Sequence, residues 1–236
     1  MTSPDRTSVR RRPRNSLTPE AIIEAAFVVS ERSPEATPTF QALGAQLGAH
    51  PTAIYRHFRD KDDLMLGLVD ALHAEVLEEL GPPQARWQDE LLAIARAVHG
   101  VFQRHAAIAQ YAAVRTARRT HEFRIADRLV AVMRSAGFSD ADAAHYYRVV
   151  ADAVLSYSAN DAALVALPAE VREADLRSWQ VEYRTLPADT YPHLAAIAEV
   201  MRPLDDSSNF ELLVALLIEA LERRTPAAPA ESAGRI

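Results

Sequence analysis

A short segment, residues 51–58, carries side chains whose types and spacing suit contact with DNA. Thr52 and Arg56 stand four residues apart, so a helix would place them on one face, flanked by Ala53 and Tyr55. Small and hydroxylated residues let a helix lie close to the base edges of a major groove, where an arginine can pair with guanine. The segment therefore predicts a helix whose outward face reads bases.

Two short helices joined by a tight turn are predicted to hold this face. Thr39 is a candidate cap for the first helix, and Gly48 follows its last apolar residue, where a left-handed conformation is common. Pro51 suits the first turn of the second helix because it has no N–H to leave unpaired. The inward positions lie at helical spacing and are Phe40, Leu43, Leu47, Ile54 and Phe58. The pattern is that of a helix-turn-helix.

Two further helices are predicted on either side of this motif. Thr18 caps the first, which begins at Pro19. Its buried stripe consists of Ile22, Ile23, Ala26, Phe27 and Val29. Asp60 caps the second, which is predicted to run to Leu80 and to end at Gly81. This helix buries Leu64, Leu68, Ala71, Leu72 and Val76. Because it starts directly after the motif, we expect it to connect the motif to the rest of the chain.

Charge is divided unevenly along the chain. The net charge is −6 over 236 residues, yet residues 1–61 hold nine basic and six acidic side chains. The remaining residues hold seventeen basic and twenty-six acidic side chains. This asymmetry is typical of a nucleic-acid-binding end joined to a domain that avoids nucleic acid. Residues 1–16 contain five arginines, including Arg14, and are interpreted either as a solvated tail or as an arm that contacts phosphates or the minor groove.

Composition argues against several other classes of protein. The chain has no cysteine, which excludes disulfides, thiolate metal sites and cysteine nucleophiles. No apolar run comes close to 18 residues and no signal peptide is evident, so we expect a cytoplasmic protein without a membrane span. We find no catalytic motif, no glycine-rich phosphate loop and no metal-ligand spacing among the eight histidines, so an enzyme is not expected. Asp205 and Asp206 are interpreted as solvated loop residues.

From residue 84 onward the spacing of apolar residues predicts helices throughout. Ser139 with Asp142, and Ser208 with Glu211, are interpreted as caps at helix starts. The helix after Ser139 is predicted to bury Tyr146, Val149, Val150, Ala153, Val154 and Tyr157. The last helix, residues 208–224, is apolar on nearly every side and so needs a partner beyond its own domain. We therefore expect it to form half of a dimer interface.

The helix-turn-helix residues match a known pattern. An A-x-x-L-G run, in which Gly44 replaces the alanine, is followed by further matching positions: Ile54, Tyr55, His57, Phe58, Lys61 and Leu64. Over roughly residues 18 to 80 the chain resembles the tetracycline-repressor (TetR) family of bacterial transcription regulators. The resemblance implies an all-α protein, with a three-helix DNA-binding domain followed by a helical ligand-binding and dimerisation domain.

A second resemblance lies in the C-terminal half. The segments that carry it are residues 136–143, 191–195 and 210–211. They are similar to the C-terminal domain of the tetracycline repressor's own branch. This implies that helices near 143–166 and 208–224 form a four-helix bundle between two protomers. Ala112 stands where that branch has the histidine that holds the drug's magnesium, so we expect no metal and no cofactor.

The resemblance also implies roles for single residues. Gln41 matches a base-contacting position in some relatives, and Tyr55, His57 and Lys61 match phosphate-contacting positions. The DNA-binding candidates are therefore Arg14, Thr39, Gln41, His50, Thr52, Ala53, Tyr55, Arg56, His57 and Lys61. An effector pocket is implied as well, and aromatic residues spread over several helices could line it. These candidates are Trp87, Phe102, Tyr111, Phe123, Tyr146, Tyr157, Trp179 and Tyr183.

The sequence thus predicts five parts. They are a basic arm (1–16), a DNA-binding domain (17–62), a connecting helix (63–80), a ligand-binding and dimerisation domain (81–224) and a tail (225–236). The predicted function is that of a ligand-responsive homodimeric regulator, a repressor released from a palindromic operator by a small, mostly apolar effector. Two alternatives stay open at this point: a helical adaptor whose helix-turn-helix binds only protein, and a helical enzyme of unknown type.

Overall fold

The described part of the chain is helical. The computed structural model describes residues 17–32 and 37–226, which form eleven α-helices, two 3-10 turns and no strand. The helices are Pro19–Arg32 (α1), Phe40–Leu47 (α2), Pro51–Ile54 (α3), Lys61–Leu80 (α4), Trp87–Arg104 (α5), Ala106–Ala112 (α6), Thr120–Ser135 (α7), Asp140–Ala166 (α8), Ala169–Val181 (α9), Pro192–Ile197 (α10) and Ser208–Glu222 (α11). The all-α class is confirmed. Arg14 and the rest of the predicted arm lie outside the described residues.

The first three helices pack into a small unit against α4, and local signals define their ends. The Thr39 hydroxyl accepts a hydrogen bond from the backbone N–H of Ala42 at 3.2 Å, as an N-cap does. Gly48 ends α2 in the left-handed region with φ 62°. Ile54 and Phe58 are buried, as their spacing predicts. Regular helix in α3 ends at Ile54, and residues 55–57 continue as a turn, so the predicted recognition helix is short.

Gly44 allows α2 to approach the following turn closely. A Cβ atom built on Gly44 would lie 2.8 Å from the carbonyl oxygen of Ala49 and 3.3 Å from the ring of Pro51. A methyl group cannot fit at that distance from a backbone atom without moving it. The departure from the family's alanine at this position therefore has a steric reason: the turn between α2 and α3 is packed against the helix itself.

Gly44→Ala should consequently lower the melting temperature. Overpacking costs about 1–3 kcal/mol. Replacing a helical glycine by alanine gains about 1 kcal/mol, so we expect the cost to be the larger of the two. Gly100→Ala is the matched control, because Gly100 lies inside α5 and a Cβ there would meet only the tip of Arg104, at 3.7 Å. It should raise the melting temperature. Thermal unfolding of both variants by circular dichroism checks this, and a stabilised Gly44→Ala would contradict the close packing.

The helix α4 joins the N-terminal unit to the rest of the molecule. Its N-cap is Asp60, whose carboxylate accepts the N–H of Asp63 at 2.8 Å. It runs for 20 residues, packs against α1 on one side and against α5, α6 and α7 on the others, and ends at Gly81 with φ 59°. A helix thus spans the segment predicted to connect the two domains, residues 63–80, and it packs against both groups of helices.

Helices α5, α6 and α7 pack against α4, and together with α8 they form the second packed unit. The longest helix, α8, packs against α5, α6 and α7. Arg128 of α7 pairs with the buried Glu90 of α5. It also donates to the carbonyl of Gly81 at 2.8 Å, so it links α7 to α5 and to the end of α4. By length and composition alone α8 could cross a membrane, although charged residues interrupt it and it contains no continuous apolar run of 18 residues. Its packing against three other helices is typical of a core helix.

Two expectations about the C-terminal region are wrong. Ser208 and Glu211 do not form a capping box, because Glu211 instead binds Arg96 of α5 through two hydrogen bonds of 2.9 and 2.7 Å. Asp206 is not simply solvated. Its carboxylate accepts the N–H of Ser208 at 2.9 Å and pairs with Arg202, and these bonds lower the pKa of Asp206 to about 2. Asp206 thus organises the start of α11.

A third correction concerns the outward face of α8. Val149, predicted to point inward, is 50% exposed in the single chain, and Val165 on the same helix is 51% exposed. On α11, Leu212 and Leu216 are 57% and 53% exposed. Large apolar side chains on two helices are therefore left uncovered by the chain's own fold, on the helices predicted to form the dimer interface.

Candidate nucleic-acid interface and internal cavity

The predicted base-reading side chains lie at the surface of the N-terminal unit. Thr52 and Arg56 are exposed, Ala53 between them is half-buried, and Gln41 is exposed on α2. Their exposure is a consequence of burying Ile54 and Phe58, which lie on the opposite side of the same short helix and turn. Polar side chains of the N-terminal unit are thus available for contact with another molecule.

Local hydrogen bonds fix the geometry of this face. The Nδ1 atom of His50 accepts the backbone N–H of Thr52 at 3.3 Å and lies 2.8 Å from the Thr52 hydroxyl. His50 is therefore the N-cap of α3, just as Thr39 is the N-cap of α2. These two candidates hold the helix starts, and their capping atoms are already engaged.

Cationic and aromatic side chains border the face. Tyr55 is 55% exposed and packs its ring edge-on against Phe40 at 4.5 Å between ring centroids, which holds it in place. His57, which the spacing placed nearer the inward side, is exposed, as is Lys61 at the start of α4. Arg59 was missed by sequence reasoning, although its side chain is 85% exposed and lies between two predicted phosphate contacts. Its position in a run of basic residues was the available signal.

A cavity of about 240 Å³ lies between α4, α5, α7, α8 and the residues that follow α6. Most of its wall is aliphatic: Leu91, Ile94, Ala95, Val98, Ile125, Leu129, Val150, Val154 and Leu155. Apolar walls with few polar groups are typical of small-molecule pockets. Polar and charged side chains of the wall include His73, Glu122 and Arg148.

One of the eight aromatic candidates, Phe123, lines this cavity. The others lie elsewhere for recognisable reasons. Phe102 is fully buried in the core, and Trp87 is packed against the outside of the core. Tyr146 contacts Phe138, Tyr157 contacts Phe210, and Trp179 contacts Tyr183 outside the cavity. Tyr111 hydrogen-bonds to Asp62 of α4. The cavity wall is therefore aliphatic where aromatic side chains were predicted.

Polar contacts tie the first turn of α4 to the segment that follows α6. Arg115, which lines the cavity, donates to Asp62 at 2.7 and 2.9 Å, and Tyr111 binds the same carboxylate. These bonds lower the pKa of Asp62 to about 2, so the carboxylate stays charged at neutral pH. The neighbouring Asp63 pairs with Arg119 at 2.6 Å. The start of α4 is thus held by residues next to the cavity.

A second link joins the middle of α4 to α7. The Asp70 carboxylate accepts the backbone N–H groups of His121 and Glu122 at 2.9 and 3.0 Å, and it pairs with the ring of His121 at 2.9 Å. It therefore satisfies N–H groups that the first turn of α7 would leave free. Glu122 in turn lines the cavity.

Three histidines of the described residues pair with single carboxylates, and His50 caps α3. His99 contacts Asp161 at 2.8 Å and stacks on Phe210 at 4.0 Å, and His105 contacts Glu75 at 2.8 Å. No group of three metal-binding side chains occurs within residues 17–32 and 37–226. These histidines join helices to one another.

Comparison with known proteins assigns the family. The family described as "Tetracyclin repressor-like, C-terminal domain" matches residues 81–225, which is more than half of the chain. The chain belongs to this tetracyclin repressor-like family. An HTH-type transcriptional repressor from Mycobacterium tuberculosis is 30% identical over 146 residues, or 60% of this chain and 56% of the relative. The match thus spans little more than half the length of that relative.

Solved structures share the tetracyclin repressor-like fold over nearly the whole chain. A possible TetR family transcriptional regulator from Streptomyces coelicolor is 28% identical, with a TM-score of 0.74 over 88% of this chain and 100% of its own. The Streptomyces coelicolor TetR family protein ActR, in complex with actinorhodin, is 22% identical, with a TM-score of 0.77 over 91% of this chain and 100% of its own. The family and fold expected from the sequence are confirmed.

Proposed function

We propose that this chain is a dimeric transcription regulator that binds operator DNA and is released from it by a small molecule. It acts in the cytoplasm, as a repressor and without catalytic activity. The observation that carries the proposal is the double role of α4. Its first residue, Lys61, borders the exposed basic face, and His73, about three turns later, lies in the wall of the cavity.

The exposed face supports DNA binding through two kinds of contact, to bases and to phosphates. Thr52, Ala53, Arg56 and Gln41 contact bases. Tyr55, His57 and Lys61 contact phosphates, and the arm with Arg14 adds charge. Thr39 and His50 support these contacts indirectly, by capping the two helices of the motif. The relative from Mycobacterium tuberculosis is named an HTH-type transcriptional repressor, which supports the same role here.

The uncovered apolar face supports dimerisation. Two protomers that join α8 and α11 would bury Val149, Val165, Leu212 and Leu216 in a four-helix bundle. A two-fold dimer presents two recognition faces, and it therefore reads a palindrome with half-sites about 34–36 Å, or a multiple of that, apart.

The cavity supports release by an effector. A ligand among α4, α5, α7 and α8 presses on Arg115 and its neighbours, which hold Asp62 at the start of α4. A shift of α4 moves the attached recognition face, so both half-sites can no longer be engaged together. The ligand must bind the DNA-incompetent state more tightly, because equal affinity for both states shifts nothing. A complex of ActR, which has this fold, with actinorhodin supports a ligand in such a domain.

A footprint on the DNA upstream of the protein's own gene tests the proposal. We expect protection of a palindrome whose two halves are centred about 10–10.5 base pairs, or a multiple, apart. Affinity should fall steeply as salt rises, because each phosphate contact displaces a counterion. Protection of a single half-site by a monomer at full affinity would contradict the dimeric mode of binding.

A further inference from the structure

His73 is a buried histidine in the middle of α4, and it is not one of the proposed DNA contacts. The residue is 6% exposed, and its ring lies in the wall of the cavity. Its Nδ1 atom is inaccessible to solvent and has no hydrogen-bond partner among the described residues. Because Nδ1 is enclosed by the protein, a ligand in the cavity can reach the imidazole only at Nε2, which is not enclosed in this way and forms no hydrogen bond with the described residues.

Its surroundings favour the neutral form of the His73 ring. Burial lowers the pKa of His73, while the nearby carboxylates of Glu122 and Asp70 favour the charged form and oppose this effect; the ring of His121 lowers the pKa further, and the backbone of Val69 raises it. A neutral imidazole has one nitrogen that donates and one that accepts. It can therefore receive a hydrogen bond from a hydroxyl group, and the two carboxylates nearby disfavour a ligand with a negative charge.

Charged groups of the cavity wall are already engaged with the protein. Glu122 accepts the backbone N–H groups of Ala117 and Arg118, which orders the turn before α7. Arg148 is paired with Asp152 at 2.8 Å, and both are exposed. Arg115 is bound to Asp62, as described above. His73 differs from these groups in being both buried and incompletely bonded.

We propose that His73 is the effector-recognition residue, and that the effector is a neutral, mostly apolar molecule with a hydroxyl group that hydrogen-bonds to its imidazole. The aliphatic wall selects the body of the molecule. The volume of about 240 Å³ lies below the range of about 300–1,000 Å³ that drug-sized ligands occupy, so one or two fused rings are favoured.

This assignment rests on the proposed function for its regulatory part. His73 lies twelve residues after Lys61 on one continuous helix, a separation of about 18 Å along the helix axis. A bond to His73 therefore acts directly on the element that carries the DNA-binding face. A ligand that binds the protein more tightly with α4 in one position than in another shifts α4 toward the first position. Operator affinity then changes by the ratio of the ligand's affinities for these two positions.

Three naphthalene probes of similar shape test the assignment. The probes are 2-naphthol, which donates a hydrogen bond, 2-fluoronaphthalene, which cannot, and 2-naphthoate, which is an anion. Calorimetric titration of the intact protein should show 2-naphthol binding about 2- to 10-fold more tightly than 2-fluoronaphthalene. The anion should bind most weakly. Failure of all three probes to bind the wild type, or a preference for the anion, would overturn the assigned ligand class.

Substitutions distinguish the contribution of His73 to probe binding from that of the rest of the cavity wall. His73→Phe should bind both neutral probes but lose the preference for 2-naphthol, and His73→Gln should recover part of it. Tyr147→Phe removes a different hydroxyl from the same wall and should leave the preference unchanged. Thermal unfolding establishes that each variant is folded. A preference that survives in His73→Phe, or disappears in Tyr147→Phe, would contradict the role of His73.

Operator binding on the same samples distinguishes the two proposals. We expect 2-naphthol to lower operator affinity about 5-fold or more in the wild type and less in His73→Phe. If His73 governs probe preference but the protein has no operator, the proposed function fails while the ligand site stands. If operator binding is intact and probe binding does not depend on His73, the assignment of His73 fails alone. Probe binding that leaves operator affinity unchanged refutes the regulatory part.

Discussion

Leu216→Glu should convert the protein to a monomer and lower its affinity for operator DNA by about 10²- to 10⁴-fold. Leu216 is 53% exposed on α11, and Leu212, one turn earlier, is 57% exposed. A carboxylate placed there would be buried in the proposed bundle, and burying an unpaired charge is strongly unfavourable. Without the dimer, each recognition face binds alone and the gain from linking two half-site contacts disappears.

Light scattering and fluorescence anisotropy on the same preparation measure the two effects. Ala131→Glu is the matched control, because Ala131 is exposed on α7, outside the proposed interface. It should leave both the dimer and the operator affinity unchanged. A dimeric Leu216→Glu with full operator affinity would place the interface elsewhere.

Arg56→Ala should remove most of the discrimination between operator and random DNA. Arg56 is exposed on the face opposite Ile54 and Phe58, where a helix in the major groove would place it against base edges. A bidentate contact to guanine contributes about 1–3 kcal/mol of discrimination, and a palindromic site contains two such contacts. The loss of operator affinity should therefore be about 30- to 2 × 10⁴-fold, with little change on random DNA.

Lys61→Ala provides the comparison for a phosphate contact. It should weaken operator and random DNA alike and reduce the salt dependence by about one unit of slope per half-site. Both variants are measured by anisotropy over a series of salt concentrations. If Arg56→Ala weakened random DNA as much as operator DNA, Arg56 would be a phosphate contact and base reading would rest on other residues.

Local signals in the sequence predicted the N-terminal unit closely. The caps at Thr39 and Asp60, the left-handed Gly48 and the buried pair Ile54 and Phe58 all depend on residues fewer than ten positions apart. Such features depend on hydrogen bonds within one turn or on side chains of one helix. They can therefore be recognised without knowing how distant segments pack.

The cavity could not be predicted in the same way. It arises where four helices and the segment after α6 meet, and aromatic residues that stood out in the sequence fill the core instead, as Phe102 does. His73 carried a signal that was not used: it interrupts an apolar stripe formed by Val69, Val76 and Leu80 at helical spacing. A histidine at such a position is expected to be buried, and the polar atoms of its ring then need partners.

Competition between partners explains the failed cap at α11. Ser208 and Glu211 have the spacing of a capping box, but Arg96 lies across from Glu211 and forms a bidentate pair with it. A charged pair of this geometry is stronger than the hydrogen bond from a carboxylate to a single backbone N–H. Asp206 instead accepts the N–H of Ser208, the first residue of α11. Only the packing of α11 against α5 reveals this choice.

Anisotropy titration of DNA from upstream of the protein's own gene, against a scrambled fragment of equal length and composition, tests the central claim most directly. At physiological salt the account predicts a preference of about 10³-fold or more for the upstream fragment, with two protomers bound per site. Addition of a saturating cavity ligand such as 2-naphthol should lower that preference about 5-fold or more. Equal affinity for both fragments across all salt concentrations would contradict a sequence-reading regulator.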